Sequence, residues 1–470
     1  MTSSTRRPAD ALRARYGHAL DAATGLARPG EVCLAWVRAE CSDFVRFNHG
    51  RMRQAGTVER ALCELRLVAD GRQVRHCLTL CGDPDVDAAR VRDGMARLRA
   101  ALGHARVDAF LDLDRLAARS AHTQSVRMPT SDELVDTVCA AASGHDLVGF
   151  HAGGPMACGF ASSLGHHHWH ETASWTFDYS VYAGGGLDPA TGRPARAAVD
   201  AALRDKAVKA TVGGGDWSAE RVRAAIARSI TQVELLRRPP RTLAAGRHRA
   251  LLDARAVADL LEMLAWGGFS ARALASGQSP LMRLADGSAR LDRRVSLVED
   301  LEGAGVPLFQ ADGYARPPRL DLIRDGAFAG RLVSPRSARE FGLAGNGATG
   351  DETPQALSLA PGTLAESDAL AALGSGVWVS NFWYLNFSDR PACRITGMTR
   401  FATFWVEDGE PVAPVQAMRF DDSLLRVFGD RLEALTGTAH AFPDTATYDG
   451  RAFGAVRAPG ALLTGLDFTL

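Results

Sequence analysis

The sequence predicts an α+β protein of two domains, an N-terminal antiparallel sheet with helices and a C-terminal, mainly β domain with one inserted helix. The chain has 470 residues, more than one ordinary hydrophobic core requires. Strand-like segments fill much of both halves, separated by glycine and aspartate turns. The pair Pro239-Pro240 ends a helical segment near mid-chain, because proline disfavours helical backbone in the residue before it. We therefore predict domains at residues 1–240 and 241–470.

The N-terminal half is predicted to open as an antiparallel meander with a turn at Asp70-Gly71. Its predicted strands are residues 32–37, 44–47, 61–68, 74–80, 146–150, 156–163 and 169–182. Its predicted helices are residues 85–102, 131–142 and 219–236. Ser131 and Ser218 are expected to cap the second and third helices, because serine at the N-cap accepts a backbone N–H of the first turn.

The C-terminal half is predicted to carry one principal helix, residues 253–266, with Asp253 as its cap. Its apolar stripe consists of Val257, Leu260, Leu261 and Leu264, which share one helical face. The predicted strands are residues 249–252, 377–387, 399–406 and 412–418. This half is therefore predicted to be β structure with an inserted amphipathic helix.

Composition excludes several classes of function. Fifty-four basic and 54 acidic residues cancel, so the chain lacks the overall positive charge that nucleic-acid binding favours. No apolar run is long enough for a signal peptide or a membrane span. We therefore expect a cytoplasmic protein with no nucleic-acid and no membrane partner. The eight cysteines are scattered without paired spacing and are expected to be free thiols.

A run of histidines is the most conspicuous chemical feature. In a strand, alternate residues share a face, so His166, His168 and His170 could converge on a metal ion. The alternative is a polar strand without a metal, and it is favoured because no second cluster in the sequence completes tetrahedral coordination. The dipeptide beginning at His170 starts like a metalloprotease motif, but Ser174 and Trp175 stand where the second histidine would be.

An aromatic segment near residue 380 has two interpretations. It contains Trp378, Phe382, Trp383, Tyr384 and Phe387. These side chains could line a groove or an interface, but aromatic residues at positions of both strand faces favour a strand buried on both sides. The strand that follows Gly165 is a further candidate for a cleft or an interface.

Several segments resemble the TldD/PmbA family, with the closer match to its TldE-like branch. The strongest is residues 396–410, TGMTRFATFWVEDGE, followed by Pro414-Val415 and residues 418–422, MRFDD. Residues 48–50, 162–165, 266–270 and 468–470 add to the likeness. The resemblance covers most of residues 30–470, so it implies the family's fold for nearly the whole chain.

The resemblance also implies what this chain lacks. In catalytic members the first long helix of the second domain carries HExxxH, whose histidines bind zinc while the glutamate polarises water. Here Glu262, Met263 and Gly267 stand at the positions of His, Glu and His, and no cysteine follows Cys393. We therefore expect no catalytic residues, no metal and no cofactor in this chain.

The implied role is a non-catalytic TldE-like subunit that pairs with a zinc-bearing TldD-type chain and handles unfolded or modified peptides. Strand addition to a sheet edge would suit such substrates, because it recognises the peptide backbone rather than the side chains. Two alternatives stay open. One is an independent metallohydrolase that uses His166, His168 and His170, and the other is a homodimeric peptide-binding protein without proteolysis.

Overall fold

A computed structural model describes residues 11–186, 203 and 206–469. The helices are α1 Ala11–Tyr16, α2 His18–Thr24, α3 Pro84–Leu102, α4 Ser131–Ala141, α5 Ala219–Leu236, α6 Ala254–Ala265, α7 Ala271–Ala275, α8 Met282–Ala285, α9 Pro335–Phe341, α10 Ala369–Leu373 and α11 Leu424–Val427. The strands of the N-terminal half are β1 Val32–Asn48, β2 Arg51–Ala69, β3 Arg72–Thr79, β4 Arg119–Thr123, β5 His145–Ser162, β6 His167–Gly186 and β7 Ala207–Gly214.

The strands of the C-terminal half form two sheets. They are β8 Gly246–Leu252, β9 Leu297–Asp300, β10 Arg319–Arg324, β11 Ala327–Phe328, β12 Leu357–Leu359, β13 Gly376–Val379, β14 Trp383–Asp389, β15 Arg394–Met398, β16 Thr403–Glu407, β17 Glu410–Pro414, β18 Arg419–Ser423, β19 Leu432–Leu435, β20 His440–Pro443, β21 Ala455–Ala458 and β22 Ala461–Phe468. One sheet has the order β11-β10-β9-β12-β21-β20, and the other β14-β15-β18-β22-β8-β13-β16-β17 with β19 beside β22. The predicted α+β class is confirmed.

The N-terminal sheet has the order β3-β2-β1-β5-β6-β4, with β7 paired to β6. All its pairs are antiparallel except β4 with β6. The predicted strands 32–37 and 44–47 are one strand, because the polar residues between them do not end it. Glu40 and Ser42 are buried there, and the Ser42 hydroxyl donates to the Glu40 carboxylate over 2.9 Å. A satisfied buried polar pair can lie inside a strand.

Helix caps follow the predictions with two corrections. Ser218 Oγ accepts the backbone N–H of Arg221 at the start of α5, as predicted. At α4 the cap is Thr130 rather than Ser131. At α6, Asp253 occupies the N-cap position but makes no capping bond, because its carboxylate accepts the indole N–H of Trp378 at 2.7 Å.

Helix α6 lies at the centre of the C-terminal half. The predicted stripe of Val257, Leu260, Leu261 and Leu264 is at most 2% exposed, and it packs in a core shared with both C-terminal sheets. Besides α6, five helices of four to seven residues lie between 206 and 469. The sequence prediction of one inserted helix missed them, since helices this short carry little periodicity.

The predicted strand 377–387 is wrong as a single element. β13 lies inside the nine-stranded sheet between β8 and β16, and β14 lies at the edge of that sheet. The chain turns between them because the N–H of Phe382 donates to Asp259 over 3.0 Å and the Phe382 ring packs on Phe420. The interpretation of a buried strand therefore fails for Trp383 and Tyr384, which are 38% and 79% exposed.

The two halves share packing across the predicted boundary. Ala402 and Phe404 lie in one core with residues of α4, α5 and β6. The division at residue 240 stays a prediction. Among the described residues, no helix is long and apolar enough to cross a membrane.

Candidate functional site

A groove of about 1020 Å³ lies between one face of the N-terminal sheet and the C-terminal half. Its floor includes Trp36, Arg38, Glu40, Arg60, Leu62 and Cys158. The opposing wall includes Arg255, Glu262, Trp266, Phe309, Arg316 and Phe442. The groove is therefore built by segments that are far apart in sequence.

Strand alternation places the floor residues. Arg38 is paired with Leu62 of β2 and with Cys158 of β5, and Glu40 is paired with Arg60. Side chains at every second position of a strand point to the same side. The opposite side of β1 packs against α1, α2 and α3 in a separate core, so the floor is free to face the groove.

Helix α6 presents a charged face to the groove. Arg255, Asp259, Glu262 and Trp266 are spaced by four, three and four residues, which places them on one helical face. Arg255 donates from Nε to Asp259 over 2.8 Å and from Nη2 to Glu262 over 3.1 Å. Burial raises the pKa of the Asp259 carboxyl, and Arg255 opposes that shift. One guanidinium thus holds two carboxylates at this wall.

The three positions that replace HExxxH do not converge. Glu262 lies on the groove, but Met263 is 6% exposed and belongs to the core. The helix ends at Ala265, and Gly267 follows with φ 76°. A Cβ at Gly267 would lie 2.7 Å from Nη2 of Arg390. The three positions therefore lie in three different environments: the groove face, the hydrophobic core and the loop after the helix.

Cys393, the last cysteine of the chain, lies away from this wall. Its thiol is fully buried in the C-terminal core, and burial raises its pKa to about 12. A thiol in that state is neither a nucleophile nor a ready metal ligand.

Of the three alternate histidines, His168 and His170 lie on β6 and His166 directly precedes it, and all are at most 5% exposed. Nδ1 of His166 is hydrogen-bonded to Ser162 Oγ, and Nδ1 of His168 to Ser120 Oγ, each at 2.7 Å. His170 donates from Nε2 to the carbonyl of residue 305 over 3.0 Å. Each ring therefore has one hydrogen-bonded nitrogen, whereas Nε2 of His166 and Nε2 of His168 are buried without a hydrogen-bond partner.

Aromatic packing accounts for the position of these rings. His168 stacks on Phe309 with centroids 5.0 Å apart, and His170 stacks on His122 at 4.9 Å. Burial lowers the pKa of His170 to about 4. Across the part of the chain that the structure describes, no group of three or more His, Cys, Asp or Glu residues is placed to hold a metal ion. The histidine strand thus packs between the two halves.

Arg451 is a groove residue that sequence reasoning missed. Its Nη1 donates to the carbonyl of Gly154 over 2.9 Å, and its Nη2 donates to the carbonyl of Ser174. Burial lowers its pKa to about 10. These hydrogen bonds from the guanidinium therefore hold the segment around residue 451, which lines the groove, against β5 and β6. No motif signals it, because a single arginine in a glycine-rich loop resembles a solvated one.

A buried ion pair supports the same wall. Arg316 and Glu299 have side chains 3% exposed and approach to 3.2 Å. Arg316 also donates to Gln355 over 2.6 Å, and Glu299 accepts the N–H of Gln355 over 3.0 Å. Buried charges persist where each is paired and hydrogen-bonded.

The comparisons with known proteins agree with this architecture. Residues 245–470 match the model of the PmbA/TldA metallopeptidase C-terminal domain. No curated protein sequence matches the chain.

Three solved structures have a similar fold. A putative modulator of a DNA gyrase from Thermotoga maritima is 14% identical, with TM-score 0.71 over 97% of this chain and 100% of its own. TldE from Thermococcus kodakarensis is 13% identical, with TM-score 0.73 over 96% and 100%. A putative modulator of DNA gyrase from Bacteroides thetaiotaomicron is 13% identical, with TM-score 0.71 over 97% and 98%.

Fold, groove and matched domain together define a metallopeptidase-related protein. The first long helix of its matched domain borders a large groove without a metal-ligand set among the described residues. Residues 245–470 belong to the family of PmbA/TldA metallopeptidase C-terminal domains. Its fold is that of the TldE-like members.

Proposed function

We propose that this chain is the non-catalytic, TldE-like subunit of a TldD/TldE-type zinc protease complex that acts on unfolded or modified peptides. The observation that carries the proposal is the wall of the groove at α6. The groove is large enough for an extended peptide, and Arg255 and Glu262 line its helical wall, with Asp259 hydrogen-bonded to Arg255 behind them. A guanidinium binds carbonyl and carboxylate oxygens but does not lower the pKa of bound water as zinc does.

In this proposal, a TldD-type partner chain carries out the hydrolysis. Zinc held by a TldD-type chain would supply the Lewis acid and the activated water. The residues of this chain would bind and orient the peptide, because the floor offers alternating apolar and charged side chains such as Trp36, Arg38 and Leu62. Mixed surfaces of this kind contact many sequences, as a protease for unfolded peptides requires.

An open sheet edge next to the groove supports peptide binding by strand addition. β3 pairs with β2 only from Leu62 to Ala69. From Met52 to Arg60 the outer edge of β2 has no neighbouring strand among the described residues, and Arg60 itself lies on the groove. An extended peptide can complete such an edge with main-chain hydrogen bonds.

Reconstitution with a homologue that carries HExxxH tests the proposal. The purified chain, the homologue and their mixture would be incubated with an unfolded peptide, and cleavage followed by mass spectrometry. We expect no cleavage by this chain alone and chelator-sensitive cleavage by the mixture, with both chains in one complex. Chelator-sensitive cleavage by this chain alone would refute the proposal.

A matched pair of variants locates the contribution of the groove. Arg38→Gln changes the exposed floor of the groove, whereas Arg92→Gln changes an exposed arginine of α3, outside the groove. We expect the first to raise the KM of the mixture severalfold and the second to leave it unchanged. Equal effects of the two variants would argue against peptide binding in this groove.

A further inference from the structure

The edge strand β14 carries an aromatic and basic surface that neither fold nor groove explains. We call it the aromatic rim; it consists of Trp266, Trp383, Tyr384, Phe387, Arg390, Met398, Arg400 and Arg419. Trp266, Trp383 and Tyr384 are 54%, 38% and 79% exposed. Exposed aromatic residues are normally scattered singly, and a cluster of them marks an interaction surface.

Two arginines of the rim lie over aromatic rings. Cζ of Arg390 is 5.6 Å from the ring of Trp266 and 4.8 Å from that of Phe387. Cζ of Arg400 is 4.9 Å from the ring of Trp383. Stacking holds each guanidinium at a fixed place, and Arg390 keeps its Nη1 group for an oxygen ligand because its Nε and Nη2 donate to backbone carbonyls.

The rim has more positive than negative charge. Among the described residues, Arg390, Arg400 and Arg419 form no ion pair: Arg390 donates to backbone carbonyls, and Arg419 donates to the hydroxyl of Thr396. The nearest acidic residue on β14 is Asp389, whose carboxylate accepts a backbone N–H. Three positive charges thus face one negative charge.

The backbone of the rim is also open. β14 pairs with β15 on one side and is the end of its sheet. Tyr384 has φ 57°, a conformation that costs a non-glycine residue about 1 to 2 kcal/mol. Such strain persists where the surroundings impose it and is enriched at ligand-binding surfaces.

The aromatic rim is adjacent to the groove and shares Trp266 with it. Trp266 lines the groove and also contacts the ring of Phe387, with centroids 5.9 Å apart. A chain that leaves the groove past Trp266 therefore reaches Arg390 and then the edge of β14.

We infer that the aromatic rim binds an acidic segment of the peptide whose neighbouring residues occupy the groove. Carboxylates fit the unpaired guanidinium groups, and the flanking rings bury apolar side chains between them. This inference rests on the proposed function and adds a substrate class, peptides that combine acidic and aromatic residues. Single-stranded nucleic acid also binds stacked aromatic and arginine side chains, but the zero net charge of the chain and the open strand edge favour a peptide.

Fluorescence anisotropy with labelled unfolded peptides tests the inference on the full chain. Three peptides of equal length would be compared: one with three glutamates beside a phenylalanine, one with glutamines in their place, and one with lysines. We expect the glutamate peptide to bind at least about fivefold more tightly than the glutamine peptide, as one favourable charge contact of about 1 kcal/mol gives.

Two variants separate the rim from the rest of the surface. Arg400→Glu removes and reverses one rim charge, whereas Arg92→Glu makes the same change on α3. We expect only Arg400→Glu to abolish the preference for glutamate over glutamine while binding of the glutamine peptide persists. A circular dichroism spectrum and melting curve like those of the parent protein would establish that each variant is folded.

The remaining outcomes are each decisive. If all three peptides bind equally to the parent chain, the rim inference falls and peptide binding by the groove stands. If no peptide binds and no complex with a catalytic homologue cleaves one, the proposed function falls as well. If a labelled oligothymidine binds and Arg400→Glu releases it, the rim is a nucleic-acid surface and the inference is overturned.

Discussion

A metal site needs suitable ligand residues and a position that a substrate can reach, and in this protein β6 has the first and α6 has the second. β6 carries the residue types, with His168 and His170 on the strand and His166 directly before it, but those rings are hydrogen-bonded and stacked between the two halves. α6 has the location, with a face on the groove of about 1020 Å³, but it presents Arg255 and Glu262 there. In the described part of the chain, the residue types of a metal site and access to the groove are therefore found on different elements.

The largest predicted loss of stability comes from a substitution on the buried face of α6. Replacing Leu260 by alanine removes a side chain that is 1% exposed, and we expect a loss of about 2 to 5 kcal/mol in the free energy of unfolding. Chemical denaturation monitored by tryptophan fluorescence measures it. Arg92→Gln on the exposed surface of α3 serves as the control and should change stability by less than about 0.5 kcal/mol.

The second prediction concerns pH and strand β6. Burial lowers the pKa of His170 from 6.5 to about 4, so the unfolded chain binds more protons between these values. Its contribution to stability is then complete above pH 6.5 and is lost as the pH falls towards 4, by up to about 3 kcal/mol. Comparing unfolding at pH 7.5 and 5 with His170→Phe should show a shallower loss in the variant. An unchanged pH dependence would contradict burial of a neutral His170.

The third prediction concerns the ion network of α6. Arg255→Met leaves Asp259, whose side chain is 12% exposed, without its cation, and we expect a loss of about 1 to 3 kcal/mol. The second substitution Asp259→Asn in the same chain should recover part of that loss. A double-mutant cycle of unfolding free energies measures the coupling. Additive effects would mean that the pair contributes nothing of its own.

The smallest expected effect is that of a chelator. We expect less than about 0.1 zinc per chain in untagged protein and no shift of the melting temperature with a chelator, since stabilisation by a ligand requires binding to the folded state. Metal analysis by mass spectrometry checks this. Stoichiometric zinc that disappears in the triple variant His166→Ala, His168→Ala, His170→Ala would instead make β6 a metal site and restore the independent metalloenzyme as a hypothesis.

Sequence patterns predicted the elements whose determinants are local. The stripe on α6 and the cap at Ser218 follow from neighbours within a few residues, and the structure confirms both. The break between β13 and β14 was not predictable, because it depends on a hydrogen bond from Phe382 to Asp259, far back in the chain.

The groove was not predictable for the same reason. Its floor and its walls come from opposite ends of the chain, and Arg451, which joins them, has no sequence signature. The family resemblance pointed to α6, but the arginine and two carboxylates on its groove face became visible only in three dimensions.

The early end of α6 limits what point mutation can do to this protein. Since the helix stops at Ala265 and Gly267 has a left-handed backbone against Arg390, writing His, Glu and His at 262, 263 and 267 would place the last ligand outside the helix. Substitution of the three side chains alone therefore leaves the end of the helix, and with it the position of residue 267, unchanged. A design that aims at two zinc-binding histidines on consecutive turns has to lengthen α6 past Gly267 as well as change its side chains.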